Sequence, residues 1–224
     1  MDKQAGTSLR RKAEIEDNIF TLLNYSRVFA GWALELRELF NDLNPEKVQG
    51  SDSNTEERMQ YIRNSHMFLD NPATKFMTLQ INLYFLDALL AMHSILFGKS
   101  NKDFEEWGLP YLSAQYHELL IGVYPGFDAE LDRIQQLFIS KKLRLLRHKY
   151  FAHNDIEVSS PISKHLAPYN SLYLKSLCSI GEDVRSLCSK TFDLPYGNDP
   201  VGDYYVDQFK WVKTLIMKQI DSKD

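Results

Sequence analysis

The stretch KAEIEDNIFTLLNYSRVFAGWALELRELFNDL, Lys12 to Leu43, decides the fold class. In it Ile15, Ile19, Leu22, Ser26, Phe29, Ala33, Leu36, Phe40 and Leu43 recur at alternating spacings of four and three. That is the period of one face of an α-helix. A second stripe, Phe20, Leu23, Ala30 and Leu34, widens the apolar face beyond the narrow seam of a coiled coil, so the helix is built to be covered by several neighbours. A two-stranded coiled coil over part of it is the narrower alternative. Asn41, Asp42, Asn44 and Pro45 end the pattern.

The rest of the chain repeats this theme. Residues 45–55 are polar and turn-rich, and Met59, Ile62, His66 and Leu69 then mark a short helix. Asn71 and Pro72 have the residue types of a cap and a first helical turn. The helix they open carries Phe76, Leu79, Leu83, Leu86, Leu90, His93 and Phe97 on one stripe, with Ile81, Leu89 and Ile95 on other faces, and reads as the central buried helix. Gly98 ends it, and residues 99–110 read as a loop around Trp107. A short helix through Leu112, Tyr116, Leu119 and Val123 is broken by Tyr124, Pro125 and Gly126. Asp128 is placed to cap the next, whose core positions Leu131, Ile134 and Phe138 lead into a basic stretch. After a connector with Pro161 and Pro168, in which Lys164 and His165 are exposed candidates, come helices through Tyr173, Leu177, Ile180, Val184 and Leu187 and through Tyr205, Phe209, Val212 and Ile216. The expectation is an all-α protein: a single-domain bundle of about five to seven helices over residues 1–224, with 1–11 as a flexible lead-in.

Composition sets the class of partner. At 224 residues and 44% hydrophobic the chain can bury one sizeable core, and its net charge of −4 argues against general polyanion binding over the whole surface. No long uninterrupted apolar run and no secretory leader pattern occur at the N-terminus, so a cytoplasmic protein without membrane partners is expected. Cys178 and Cys188, ten apart on one expected helix, stand about 15 Å apart along its axis and are expected as free thiols. His117-Glu118 opens like a zinc-protease HExxH, but the fifth position is Ile121, which removes that motif.

Against this background the segment LRLLRHKYFAHND, Leu143 to Asp155, stands out. Lys141, Lys142, Arg144, Arg147, His148, Lys149 and His153 gather there, and no acidic residue lies between Asp132 and Asp155. Basic residues near a helix C-terminus often only offset the helix dipole. An Arg followed by His after four to six residues is expected by chance roughly once in a chain with this many of each, so the spacing alone decides nothing.

The local context carries more. Arg147, His148, Lys149, Tyr150, Phe151, Ala152, His153 and Asp155 resemble the signature of the HEPN superfamily, an Arg and a His four to six residues apart with a polar residue after the Arg. The string is most similar to the branch related to abortive-infection proteins of the U type (AbiU-like), and it is dense over nine residues and loose elsewhere. His148 departs from that pattern, in which Asn or Asp is commoner. The resemblance implies a helical homodimer whose motifs face a shared cleft, and in many members a ribonuclease that needs no metal or cofactor, used in phage defence or toxin–antitoxin pairs. An antitoxin or other regulatory protein would then be a further partner.

The chemistry of such a site explains its residue types. If an RNA 2′-hydroxyl attacks the adjacent phosphate, His153 can move the proton and Arg147 can hold the developing charge with its bidentate fork. His148, Lys149, Asn154, Asp155, Lys141, Lys142 and Arg144 are the candidates for binding substrate or orienting His153. His93 is a candidate third site residue, although a lone His on an apolar stripe is more often satisfied within the core. On a straight helix Arg147 and His153 would stand about 120° and about 9 Å apart, so one chain does not readily aim both at one phosphate. Either the helix distorts near Ala152 and Asn154 or a second chain completes the cleft; the dimer is favoured. His153 also continues a stripe of Ile139, Leu143, Leu146 and Tyr150, which places it on the packing side. Two other functions stay open: a non-catalytic module binding RNA, a nucleotide or a protein, and a bundle whose basic run is a solvated face.

Overall fold

The computed structural model describes residues 2–43, 72–98, 107–147 and 171–192, together with 211, 214 and 215. Six helices and no strand occur among them: α1 (Asp2–Leu43), α2 (Pro72–Phe97), α3 (Leu109–Val123), α4 (Phe127–Ser140), α5 (Leu143–Arg147) and α6 (Ser171–Thr191). The fold is an all-α helical bundle. The expected short helix around Met59–Leu69 lies outside the described residues, as does most of the last one, of which Trp211, Thr214 and Leu215 are helical.

At 42 residues α1 is about 63 Å long and forms the spine. Both stripes read from its sequence face inward: Ile15, Ile19, Ser26, Ala33 and Leu36 are buried from the first, Leu23 and Ala30 from the second. The helix begins at Asp2, thirteen residues before the first stripe residue Ile15, and Tyr116 of α3 donates its hydroxyl to the Ser8 carbonyl at 3.1 Å. Lys12 and Glu16, one helical turn apart, pair where both side chains are nearly buried.

Helix α2 runs antiparallel to α1. Ser26 Oγ donates to the Ala88 carbonyl at 2.9 Å, and further along Phe29 and Trp32 pack on Tyr84 at ring separations of 5.6 and 5.3 Å. Here the sequence reading needs correction. The face of α2 in the core is Met77, Ile81, Phe85, Ala88, Leu89, Met92, Ile95 and Leu96. The stripe chosen from spacing points largely outward, with Phe76, Leu79 and Leu83 exposed and Leu86, Leu90, His93 and Phe97 half-buried. A helix apolar all round offers two equally regular stripes, and only the fit to α1 selects between them. By length and composition Lys75–Phe97 would suffice to cross a membrane; in this fold one side of it lies in the core.

Helix α6 packs chiefly against α1 and α4, burying Leu174, Leu177, Ile180, Val184 and Leu187. A Cβ on Gly181 would stand 3.1 Å from Arg27 Cγ, so the glycine lets α6 approach α1 while Arg27 bonds Glu182 through Nε and Nη2 at 2.9 and 2.7 Å. Cys178 and Cys188 are free, as expected. Burial, reinforced by Glu182, pushes the Cys178 thiol up to about 11, and burial together with Glu16 pushes Cys188 higher still. Neither is poised as a nucleophile.

Two glycines close the passage from α2 to α3. Gly98 has φ +71 and Gly108 φ +95, and a Cβ on Gly108 would meet the carbonyl oxygens of Ser94 and Ile95 at 2.9 and 3.0 Å and the Gly98 Cα at 3.2 Å. Helix α3 starts at Leu109 with Pro110 in its first turn, earlier than the loop reading of 99–110 allowed, because proline tolerates the turn whose N–H groups lack partners. Helix α4 is headed by Gly126 rather than by Asp128. Asp128 sits in its first turn, accepts a hydrogen bond from Ser113 and faces His117 Nδ1 at 3.1 Å.

At the α4–α6 crossing Glu130 accepts from Tyr124 at 2.6 Å and from Lys190 at 3.0 Å. The Tyr124 hydroxyl, then Lys190, hold Glu130 below the usual carboxylate range, while the bond to Glu130 raises both Tyr124 and Lys190. A depressed carboxylate contributes stability above its unfolded value, and that contribution is lost as pH falls through its folded value.

Two predictions follow from this packing. Gly108→Ala is expected to cost about 1–3 kcal/mol, because its backbone region is open to glycine alone and carbonyls meet the new Cβ. Gly122→Ala, with open space in the last turn of α3, should be neutral or stabilising by up to about 1 kcal/mol; circular-dichroism melts compare the pair. Glu130→Gln should melt below wild type at neutral pH, and the gap should close on acidification below about pH 4. A gap independent of pH would mean that the knot acts through packing alone.

Candidate nucleic-acid interface

The basic stretch does not continue α4. That helix ends at Ser140, whose hydroxyl donates to the Leu137 carbonyl at 2.9 Å. Lys141 and Lys142 bond back to Leu137 and Ile139 through their N–H groups at 3.0 and 2.8 Å. Lys142 adopts φ +61, a left-handed conformation that costs a residue with a Cβ about 1–2 kcal/mol. The chain then turns into α5, with Leu143 and Leu146 in the core and Lys141, Lys142 and Arg144 exposed. The expected stripe from Ile139 through Leu143 and Leu146 is therefore broken: Ile139 is exposed on α4, and the helix axis changes between it and Leu143. This break lies upstream of the motif; Ala152 and Asn154, where a distortion is the alternative to a dimer, lie outside the described residues.

This turn lays α5 against the C-terminal end of α2. Arg144 Cζ lies 5.1 Å from the centroid of the Phe97 ring. His93 packs on the same ring at 4.9 Å, and Phe138 of α4 closes the group at 5.6 Å from Phe97 and 6.2 Å from His93. His93, which the sequence offered as a third site residue, thus stands in one aromatic cluster with Arg144. Phe97 is the residue the sequence reading passed over. Its signal was present, since His93 and Phe97 are four apart on one helix face and so must touch.

The electrostatics set this segment apart. Elsewhere Arg10, Lys12, Arg27, Arg133, Lys175, Arg185 and Lys190 each have a carboxylate partner. Among the described residues, Lys141, Lys142, Arg144 and Arg147 have none. Arg147 is half-buried, and its Nε is buried with no hydrogen-bond partner among the described residues, a condition that costs about 1–3 kcal/mol. Four cations within seven residues, with no carboxylate partner among the described residues, favour an anionic ligand such as a phosphate. Among the described residues no group of three His, Cys, Asp or Glu side chains is placed to hold a metal ion.

The remaining candidates, His148, Lys149, His153, Asn154 and Asp155, lie outside the described residues, together with Lys164 and His165. The sequence-predicted site is therefore described at its N-terminal half: three exposed cations, the half-buried Arg147 and the neighbouring His93. The chain matches no protein-family model, no curated protein and no solved structure.

Proposed function

We propose that the chain is an RNA-binding protein of HEPN type that cleaves RNA at Arg147 and His153 by 2′-hydroxyl attack on the adjacent phosphate. The observation that carries this reading is the cluster of Lys141, Lys142, Arg144 and Arg147, which have no carboxylate partner among the described residues, in a chain of net charge −4. Arg147, the last residue of the short helix anchored by buried Leu143 and Leu146, is the group to stabilise charge on the phosphoryl oxygens. His153 would transfer the proton, and neither role calls for a metal or cofactor. The same charge supports a second reading, a module that holds RNA without cutting it.

The exposed apolar face of α2 supports a homodimer. Phe76, Leu79 and Leu83 are 57%, 54% and 45% exposed, and their stripe continues through Leu86 and Leu90 to His93 and Phe97 beside Arg144. A second copy covering this face would bring two basic segments to one cleft. A phage-defence or toxin–antitoxin role, with an antitoxin as regulator, rests on the resemblance alone.

Purified protein incubated with cellular RNA in EDTA is expected to yield cyclic-phosphate ends, and an Arg147→Ala, His153→Ala double variant of equal helicity to yield none. Salt-dependent retention of RNA by wild type without product would select the non-cutting module. Light scattering should give twice the chain mass for wild type, and Leu79→Glu with Leu83→Glu should give monomers with cleavage lowered at least tenfold. A monomeric wild type at all concentrations would remove the shared cleft.

A further inference from the structure

The Arg144–Phe97 pair has a chemistry that the rest of the basic segment lacks. Lys141 and Lys142 are point charges on flexible stems, suited to any phosphate. Arg144 is held: its guanidinium lies 5.1 Å from the Phe97 centroid, and Phe97 is itself fixed by His93 and Phe138. An aromatic ring attracts the cation through its π face but occupies none of its five N–H donors. Arg144 is exposed and has no carboxylate partner among the described residues, so its donor edge is uncommitted. A planar cation backed by a ring, with its donors free, offers both a stacking plane and a phosphate fork.

We propose that Arg144, backed by Phe97, is a nucleobase-stacking subsite that takes an unpaired base of single-stranded RNA while Lys141, Lys142 and Arg147 hold the flanking phosphates. This rests on the RNA-binding reading above and adds a requirement to it. The ligand must present a free base face, which a duplex does not. The turn at Lys142, held by its backbone bond to Ile139 and by burial of Leu143 and Leu146, is what sets Arg144 against Phe97. A pure phosphate-binding surface would have no use for the ring.

Arg144→Lys separates stacking from charge, since it keeps the cation and loses the plane. Wild type, Arg144→Lys, Phe97→Leu and Lys141→Ala are titrated by fluorescence anisotropy. The probes are a short oligoadenylate, the same strand paired with oligouridylate, and an abasic ribose-phosphate oligomer of equal length. Arg144→Lys is expected to weaken oligoadenylate binding about 5- to 100-fold and to change the abasic oligomer less than about twofold. Phe97→Leu should shift both in the same direction, and Lys141→Ala should weaken all three probes alike. If Arg144→Lys weakens oligoadenylate and the abasic oligomer equally, or neither, the stacking subsite is wrong while the RNA-binding reading stands. If wild type binds none of the probes, both fall. Should Phe97→Leu fail to fold, Arg144→Lys decides alone.

Discussion

The hydroxyl of Ser26, fully buried in the middle of α1, has one described acceptor, the Ala88 carbonyl of α2 at 2.9 Å. A buried hydroxyl without a partner is costly, so this bond sets the register of the two longest described helices. Small residues around it, Ala30 and Ala33 on α1 and Ala88 on α2, let the backbones approach. Once Ser26 faces Ala88, Phe29 and Trp32 must meet Tyr84, and Gly181 of α6 must pass beside Arg27 and Met92. The same register turns Phe76, Leu79 and Leu83 outward and leaves His93 and Phe97 at the edge where α4 and α5 arrive. Placement of the basic segment thus follows from the packing of α1 on α2, which this hydrogen bond pins in register.

What could be read beforehand follows from contrast. In α1 polar residues separate the apolar ones, so spacing identifies the buried face, and the same holds for Leu177, Ile180, Val184 and Leu187 in α6. In α2 nearly every position is apolar, spacing loses its power, and the wrong stripe is chosen. The break between α4 and α5 is hidden for a different reason. Neither Lys141 nor Lys142 is a helix breaker, and the left-handed turn at Lys142 is held by the backbone bonds to Leu137 and Ile139 and by the burial of Leu143 and Leu146 on the far side. Tertiary packing overrides a local preference that would have kept the helix going.

For the site, composition was the legible part. The absence of acidic residues between Asp132 and Asp155 marks the segment in the bare sequence, and of its described cations Arg133 reaches out to Asp183 while Lys141, Lys142, Arg144 and Arg147 have no carboxylate partner among the described residues. The environment of those cations was not legible. That Arg144 would rest on Phe97, forty-seven residues away, depends on the register of α1 with α2 and on the turn at Lys142, both of which are long-range. Some acidic side chains elsewhere pair across helices, as with Glu130 on Lys190 and Glu182 on Arg27, whereas no described carboxylate reaches Lys141, Lys142, Arg144 or Arg147.

The near-contact between Gly98 and Gly108 bears on how the chain can change length. With the two backbones pressed together, the segment between Gly98 and Gly108 begins and ends at nearly one point. Lengthening a segment between fixed ends costs only about 0.6 kcal/mol for each doubling, because closure entropy grows with the logarithm of its length. The junction of α2 and α3 is therefore a natural port for inserted sequence, where a reporter or an affinity tag can be carried while the helix register set at Ser26 stays as it is.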